Sequence, residues 1–231
     1  MDESIRNSVE PFQVFDCSLI RCATGRVCSN LRELLEALRS ASDAVIEHHL
    51  MRCVLEDHFE LHEFPNDLAR WCWAGLGDQM LGEQLGLVDP YHHATLADLR
   101  ATLLNMVEDR LWGKEQVPAC RPGLELHLVE SRLIAYDTGE RISSLAALLE
   151  ALMRMPLRSL FFHVHEARRR TAGQGDDFSL WLQQYGAEPS LLEQLQKVDF
   201  YFLNLSQLHD TLVDILRHHA SEAPPIPRTI A

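Results

Sequence analysis

At 231 residues and 46% hydrophobic composition, the chain can bury the core of one large domain or two of ordinary size. Its formal net charge of −13 opposes contact with nucleic-acid phosphates or anionic lipid. There is no apolar run of roughly 18 residues, so no membrane-spanning helix is expected, and the acidic start Met1-Asp2-Glu3-Ser4 lacks the basic-then-apolar pattern of a secretory signal.

Residues 1–11 read as a flexible leader ending in Pro11. Phe15, Cys17 and Leu19 alternate, which predicts a strand over Phe12–Cys22. The strand is expected to end at Thr24-Gly25, where Gly can take the positive φ of a turn. Ser29 is the expected N-cap of a helix whose Leu31, Leu34, Leu35 and Leu38 form one apolar face. A second helix is expected from Asp43 to Cys53. A third, capped by Asn66 or Asp67, carries Trp71 and is broken by Gly75 and Gly77. After the Asp89-Pro90 turn, Leu96, Leu99 and Leu103 mark a last helix.

The same order then recurs. With an offset of 114, Leu19, Ile20, Thr24, Gly25, Ser29, Leu31, Leu34, Leu35, Glu36, Ala37, Leu38 and His49 match Leu133, Ile134, Thr138, Gly139, Ser143, Leu145, Leu148, Leu149, Glu150, Ala151, Leu152 and His163. At an offset of 110, Asp67, Trp71, Leu81, Glu83, Gln84, Leu85, Val88, Asp89 and Tyr91 match Asp177, Trp181, Leu191, Glu193, Gln194, Leu195, Val198, Asp199 and Tyr201. A period of this length is domain-sized, unlike the 20–50 residues or so of a solenoid. The organisation predicted is a leader over 1–11, one module over 12–112, a linker over 113–124, a second module over 125–219 and a disordered tail over 220–231. The second module is expected to repeat the strand at Leu126–Tyr136, a tight hairpin at Tyr136–Ile142, the N-cap at Ser143 and a helix over Pro156–Arg170.

Six cysteines occur, at positions 17, 22, 28, 53, 72 and 120. None forms a C-x-x-C pair and none lies in the second copy, which points to reduced, mostly buried thiols in a cytoplasmic protein rather than a disulfide framework or zinc site. The duplicated set His49/His163, Asp67/Asp177 and Trp71/Trp181 allows two readings. In one, Asp orients an imidazole that contacts a ligand beside an indole wall. In the other, His is a hydrogen-bonded core residue, Asp a helix cap and Trp a packing anchor, and the spacing favours this second reading. Arg52, with Arg168–Arg170 in the other copy, suggests an anion site, although Arg52 aligns with Glu166. His58 and His62 have the i, i+4 spacing of helical metal ligands but lack the H-E-x-x-H pattern. No Walker loop, G-x-S-x-G or G-x-G-x-x-G motif is present.

Phe15–Ile20, Ala23–Arg26, Asn30–Leu34, His48-His49, Pro65–Trp71 and Leu76–Asp78 resemble an uncharacterised bacterial and archaeal family of unknown function (domain of unknown function 5752). The second copy is similar through Ser144-Leu145, His163, Asp176–Phe178 and Trp181, with Asp176 where the pattern favours Asn. The resemblance carries no established activity, cofactor or catalytic residue. It implies only an association of relatives with carbohydrate-related enzymes, such as glycosyltransferases making storage sugars.

The fold class expected is mainly α with a small β component (α+β), a tandem strand-turn-helices module with pseudo-two-fold symmetry. The two strands are expected to pair with each other, hiding their edges. The leading functional expectation is a non-catalytic binding or regulatory module for a protein partner or small ligand. It needs no cofactor, leaves homo-oligomerisation open, and carries an exposed apolar patch around Trp73 or Trp112. The alternatives are a small-molecule enzyme using His49 or His163 as acid or base, and a metal-binding protein using His58 and His62.

Overall fold

The computed structural model of the protein describes residues 9–55, 64–171 and 175–222. The fold is mainly α with one two-stranded antiparallel sheet. The strands are β1 (Phe12–Cys28) and β2 (Leu126–Ile142). Between them lie α1 (Leu31–Ser40), α2 (Asp43–Glu47), α3 (Asp67–Arg70), α4 (Gln79–Gly86) and α5 (Leu96–Leu111). After β2 come α6 (Leu145–Arg154), α7 (Leu157–Phe161), α8 (Ala167–Arg170), α9 (Asp177–Tyr185), α10 (Pro189–Gln196) and α11 (Leu205–Glu222).

The chain divides into two compact units. The first is Ser18–Ile134; the second joins Met1–Cys17 to Ala135–Ala231. Each unit therefore combines the helices of one sequence copy with the leading segment of the other copy's strand. In the first unit, Leu126 and Leu128 belong to the core formed by Leu34, Leu38, Ile46, Leu50, Leu81, Leu99 and Leu103. In the second, Phe12 and Val14 belong to the core of Leu148, Leu152, Leu160, Leu191, Leu208 and Leu216. Side chains two apart on a strand share one face, so Phe12 with Val14, and Leu126 with Leu128, present paired apolar anchors to the helices.

The stretch read as a linker is fastened to the first unit. Cys120 donates its amide to the Ser29 carbonyl (2.6 Å) and Arg121 to that of Gly75 (2.9 Å), while the Arg32 guanidinium reaches the Lys114 carbonyl at 2.9 Å. Both strands also run further than expected. Thr24-Gly25 and Thr138-Gly139 do not end them, and no hairpin forms over Tyr136–Ile142. Gly25 (φ 76°) and Gly139 (φ 81°) instead lie inside the strands in the left-handed conformation that glycine supplies in a bulge.

Local capping differs from expectation by one position. Asn30, rather than Ser29, caps α1 by accepting from the amides of Arg32 and Glu33, and Glu33 reaches back to the Ser29 amide (2.6 Å). Ser144, rather than Ser143, caps α6. In each case the Ser at the matched position precedes the cap. Pro156 is the extended N-cap of α7, one residue ahead of the first turn. All six cysteines are free thiols, five buried and Cys22 exposed. Burial pushes Cys28 up to about 11 and Cys72 to about 12, so both stay protonated at neutral pH.

Candidate functional site

The residues of the duplicated set come together in both units. The helix begun by α2 continues through a π turn at His48–Arg52, and the helix begun by α7 through a π turn at Phe162–Glu166. One π turn widens the helix by one residue, a device common where a side chain must be re-aimed. Here it contains His49 in one unit and His163 in the other, both buried. Asn66 and Asp176 cap α3 and α9 by accepting from Ala69 and Ser179 amides. That leaves Asp67 and Asp177 at the first helical position, where they face the histidines instead of serving as caps.

The imidazoles are held identically. His49 Nδ1 lies 2.8 Å from Asp67 Oδ2, and His163 Nδ1 lies 2.8 Å from Asp177 Oδ2. On the other side, His49 Nε2 accepts the Val129 amide (3.1 Å) and His163 Nε2 accepts the Phe15 amide (2.9 Å). A nitrogen that accepts from a backbone N–H carries no proton, so each ring is the neutral tautomer with its proton on Nδ1, donated to the carboxylate. Arg70 also pairs with Asp67, and Arg170 with Asp177 (2.8 Å).

The tryptophans and threonines complete the arrangement. Trp71 Nε1 donates to the Leu124 carbonyl (2.8 Å) and Trp181 Nε1 to that of Glu10 (3.0 Å). Thr24 Oγ1 donates to the Leu128 carbonyl (2.8 Å) and Thr138 Oγ1 to that of Val14 (2.7 Å). Each unit thus holds one extended segment, Leu124–Ser131 or Glu10–Cys17, at the same three main-chain points. All three gripping residue types are identical in the two copies. Thr24 and Thr138 were legible only as turn residues, and their gripping role had no local signal because the acceptors lie more than a hundred residues away in sequence.

Arg52, read as part of an anion site, is turned toward the protein itself. It is buried, donates to the Ser131 carbonyl (2.9 Å) and pairs with Glu47 (3.1 Å), a fourth hold on the same segment. At the matched position Glu166 instead accepts from Arg169 (2.8 Å). Arg168 pairs with Asp176 at 3.1 Å and stacks over the Phe200 ring. His48, His49 and Asp67 bring potential metal ligands within 4.8 Å of one another. A metal there would have to displace the His49 Nδ1 proton shared with Asp67. His58 and His62 lie outside the described residues.

A polar cluster in the second unit had no sequence signal. Buried Asp16 accepts from Arg158 Nε (2.7 Å), from the Tyr136 hydroxyl (2.8 Å) and from the Cys17 amide (2.8 Å). Burial pushes its pKa up, but these hydrogen bonds, with one from Ser159, outweigh it and hold the carboxyl below the usual range. Arg158 and Tyr136 lie more than a hundred residues away in sequence, which is why the cluster could not be read from spacing. Nearby, His165 stacks on Phe161 with ring centroids 5.0 Å apart. Burial, with a smaller contribution from Arg168, depresses its pKa to about 3.

Fold and sites together define a mainly helical protein whose repeated His, Asp, Thr and Trp side chains anchor extended backbone. The chain belongs to a family of unknown function, DUF5752, whose sequence profile spans residues 9–217. It is also similar to OrfY from Thermoproteus tenax, a solved structure with 30% sequence identity and a TM-score of 0.75, over 93% of this chain and 99% of that one. No curated protein matches the sequence. Among the described residues, no helix is long and apolar enough to cross a membrane.

Proposed function

We propose that this protein is a non-catalytic binding module, built from a duplicated unit, that works in the cytoplasm by engaging a protein partner. The observation that carries this reading is Trp112. The indole at the end of α5 is 89% exposed, whereas Trp71 and Trp181 are buried. A large aromatic left in water is the residue type that anchors partner interfaces, and Trp112 has no counterpart at the matched position, Ser221. Trp73, the other unduplicated tryptophan, packs on Phe64 with ring centroids 5.3 Å apart and is a weaker candidate.

The histidines support the same reading from the opposite side. An acid or base needs a ring nitrogen directed at substrate, and both nitrogens of His49 and of His163 are engaged with the protein itself. The family resemblance points toward a partner in carbohydrate metabolism.

The test is co-purification from the source cell with wild type and Trp112→Ala, followed by reconstitution from the two purified proteins. A partner that binds wild type directly and is weakened at least about tenfold by Trp112→Ala would support the reading. A reconstituted complex indifferent to Trp112 would remove its main support.

A further inference from the structure

The gripping residues and the gripped segments differ in how far they have diverged. Thr, His, Asp and Trp are identical between the copies, yet Glu10–Cys17 (EPFQVFDC) and Leu124–Ser131 (LELHLVES) share no residue at matched positions. What the segments do share is the extended backbone and buried apolar side chains at the same two places, Phe12 with Val14 and Leu126 with Leu128. The three repeated grips address only main-chain atoms: a carbonyl five residues ahead, a carbonyl one residue ahead, and the amide itself. Donors and acceptors on the backbone are the same for every non-proline residue.

We infer that each His–Asp–Thr–Trp arrangement is a receptor for extended peptide, selective for main-chain geometry and two alternate apolar side chains, and that the two receptors accept each other's segment. This is strand recognition in which hydrogen bonds to backbone supply the hold and shallow side-chain pockets the selection. Neutral imidazole suits the task because its Nε2 is an acceptor only while Nδ1 keeps its proton on the aspartate. The inference stands independently of the partner reading at Trp112.

The test uses the full-length protein. In one variant the segments Glu10–Cys17 and Leu124–Ser131 are exchanged reciprocally, so composition is unchanged. The exchanged chain is expected to fold, with imidazole 15N resonances still showing Nδ1–H and an accepting Nε2 at both His49 and His163. Failure to fold, or loss of that tautomer at either ring, would overturn the inference.

A second measurement does not depend on the variant folding. Wild-type protein is held in urea below its unfolding midpoint with fluorescent synthetic peptides of the two segments. Both peptides are expected to be captured. Versions N-methylated at the residue matching Phe15 or Val129 should be captured about tenfold less, the loss of one buried hydrogen bond. Capture of neither peptide, of one alone, or of the N-methylated forms equally well would refute main-chain recognition.

Discussion

Replacing His163 with Ala removes the acceptor of the Phe15 amide and the donor to Asp177 in one step. The ring is 1% exposed and is surrounded by Phe12, Phe162 and Phe178, with centroids 4.9, 5.3 and 5.4 Å away. Leaving a buried amide unsatisfied costs about 1–3 kcal/mol. Emptying the ring volume adds about 2–4 kcal/mol, because the rigid aromatic neighbours close in only partly. Arg170 still pairs with Asp177, which limits the penalty on the carboxylate. A total loss of about 3–7 kcal/mol lowers the melting midpoint by roughly 10–20 °C for a domain of this size. The specific assay is amide hydrogen exchange. Protection of Phe15 should fall well below that of the core amides of α6 and α11, because the strand anchor loosens before the helical core does. If the variant melts early while Phe15 keeps core-like protection, the histidine is only a packing residue and the anchoring argument fails.

Three further outcomes follow from the geometry. A Cβ on Gly75 would sit 2.8 Å from Trp71 Cδ1 and 3.0 Å from the Leu124 carbonyl oxygen, so Gly75→Ala should cost about 1–3 kcal/mol in urea unfolding and red-shift Trp71 emission; an unchanged midpoint would show that this contact can yield. For His165, the depressed pKa means that stability is full above the unfolded value near 6.5 and is lost as pH falls toward about 3. The stability of wild type minus that of His165→Leu should therefore decline by about 1.4 kcal/mol per pH unit between pH 6 and 4, and parallel curves would refute it. Asp16→Asn should destabilise by about 1–3 kcal/mol at neutral pH by weakening the holds of Arg158 and Tyr136. Since the native Asp16 pKa is lowered, its contribution is present above roughly 3.9 and disappears as pH falls, so the gap between variant and wild type should narrow as pH drops below that value.

The elements themselves were legible in the sequence because their signals are local. Leucine at helical spacing marks α1 and α6 whatever surrounds them, and the alternation of Phe15, Cys17 and Leu19 marks a strand, although the apolar pair it buries in the helices is Phe12 with Val14. The kinship of His49 with His163 and of Trp71 with Trp181 was visible from the repeat alone. Thr24-Gly25 misled because a threonine before a positive-φ glycine looks the same in a turn and in a bulged strand.

Which strand enters which set of helices is settled by contacts distant in sequence. Both segments present the same apolar alternation and the repeated grips recognise backbone, so neither feature marks the destination of a segment. A side-chain contact outside the repeated grips tells them apart: Asp16 meets Arg158 and Tyr136 in the second unit. Local spacing shows two runs of helices with matched His, Asp and Trp positions, but it favours the aspartates as caps rather than as partners of the histidines. The folded chain determined that each histidine closes on the backbone of the other copy's strand.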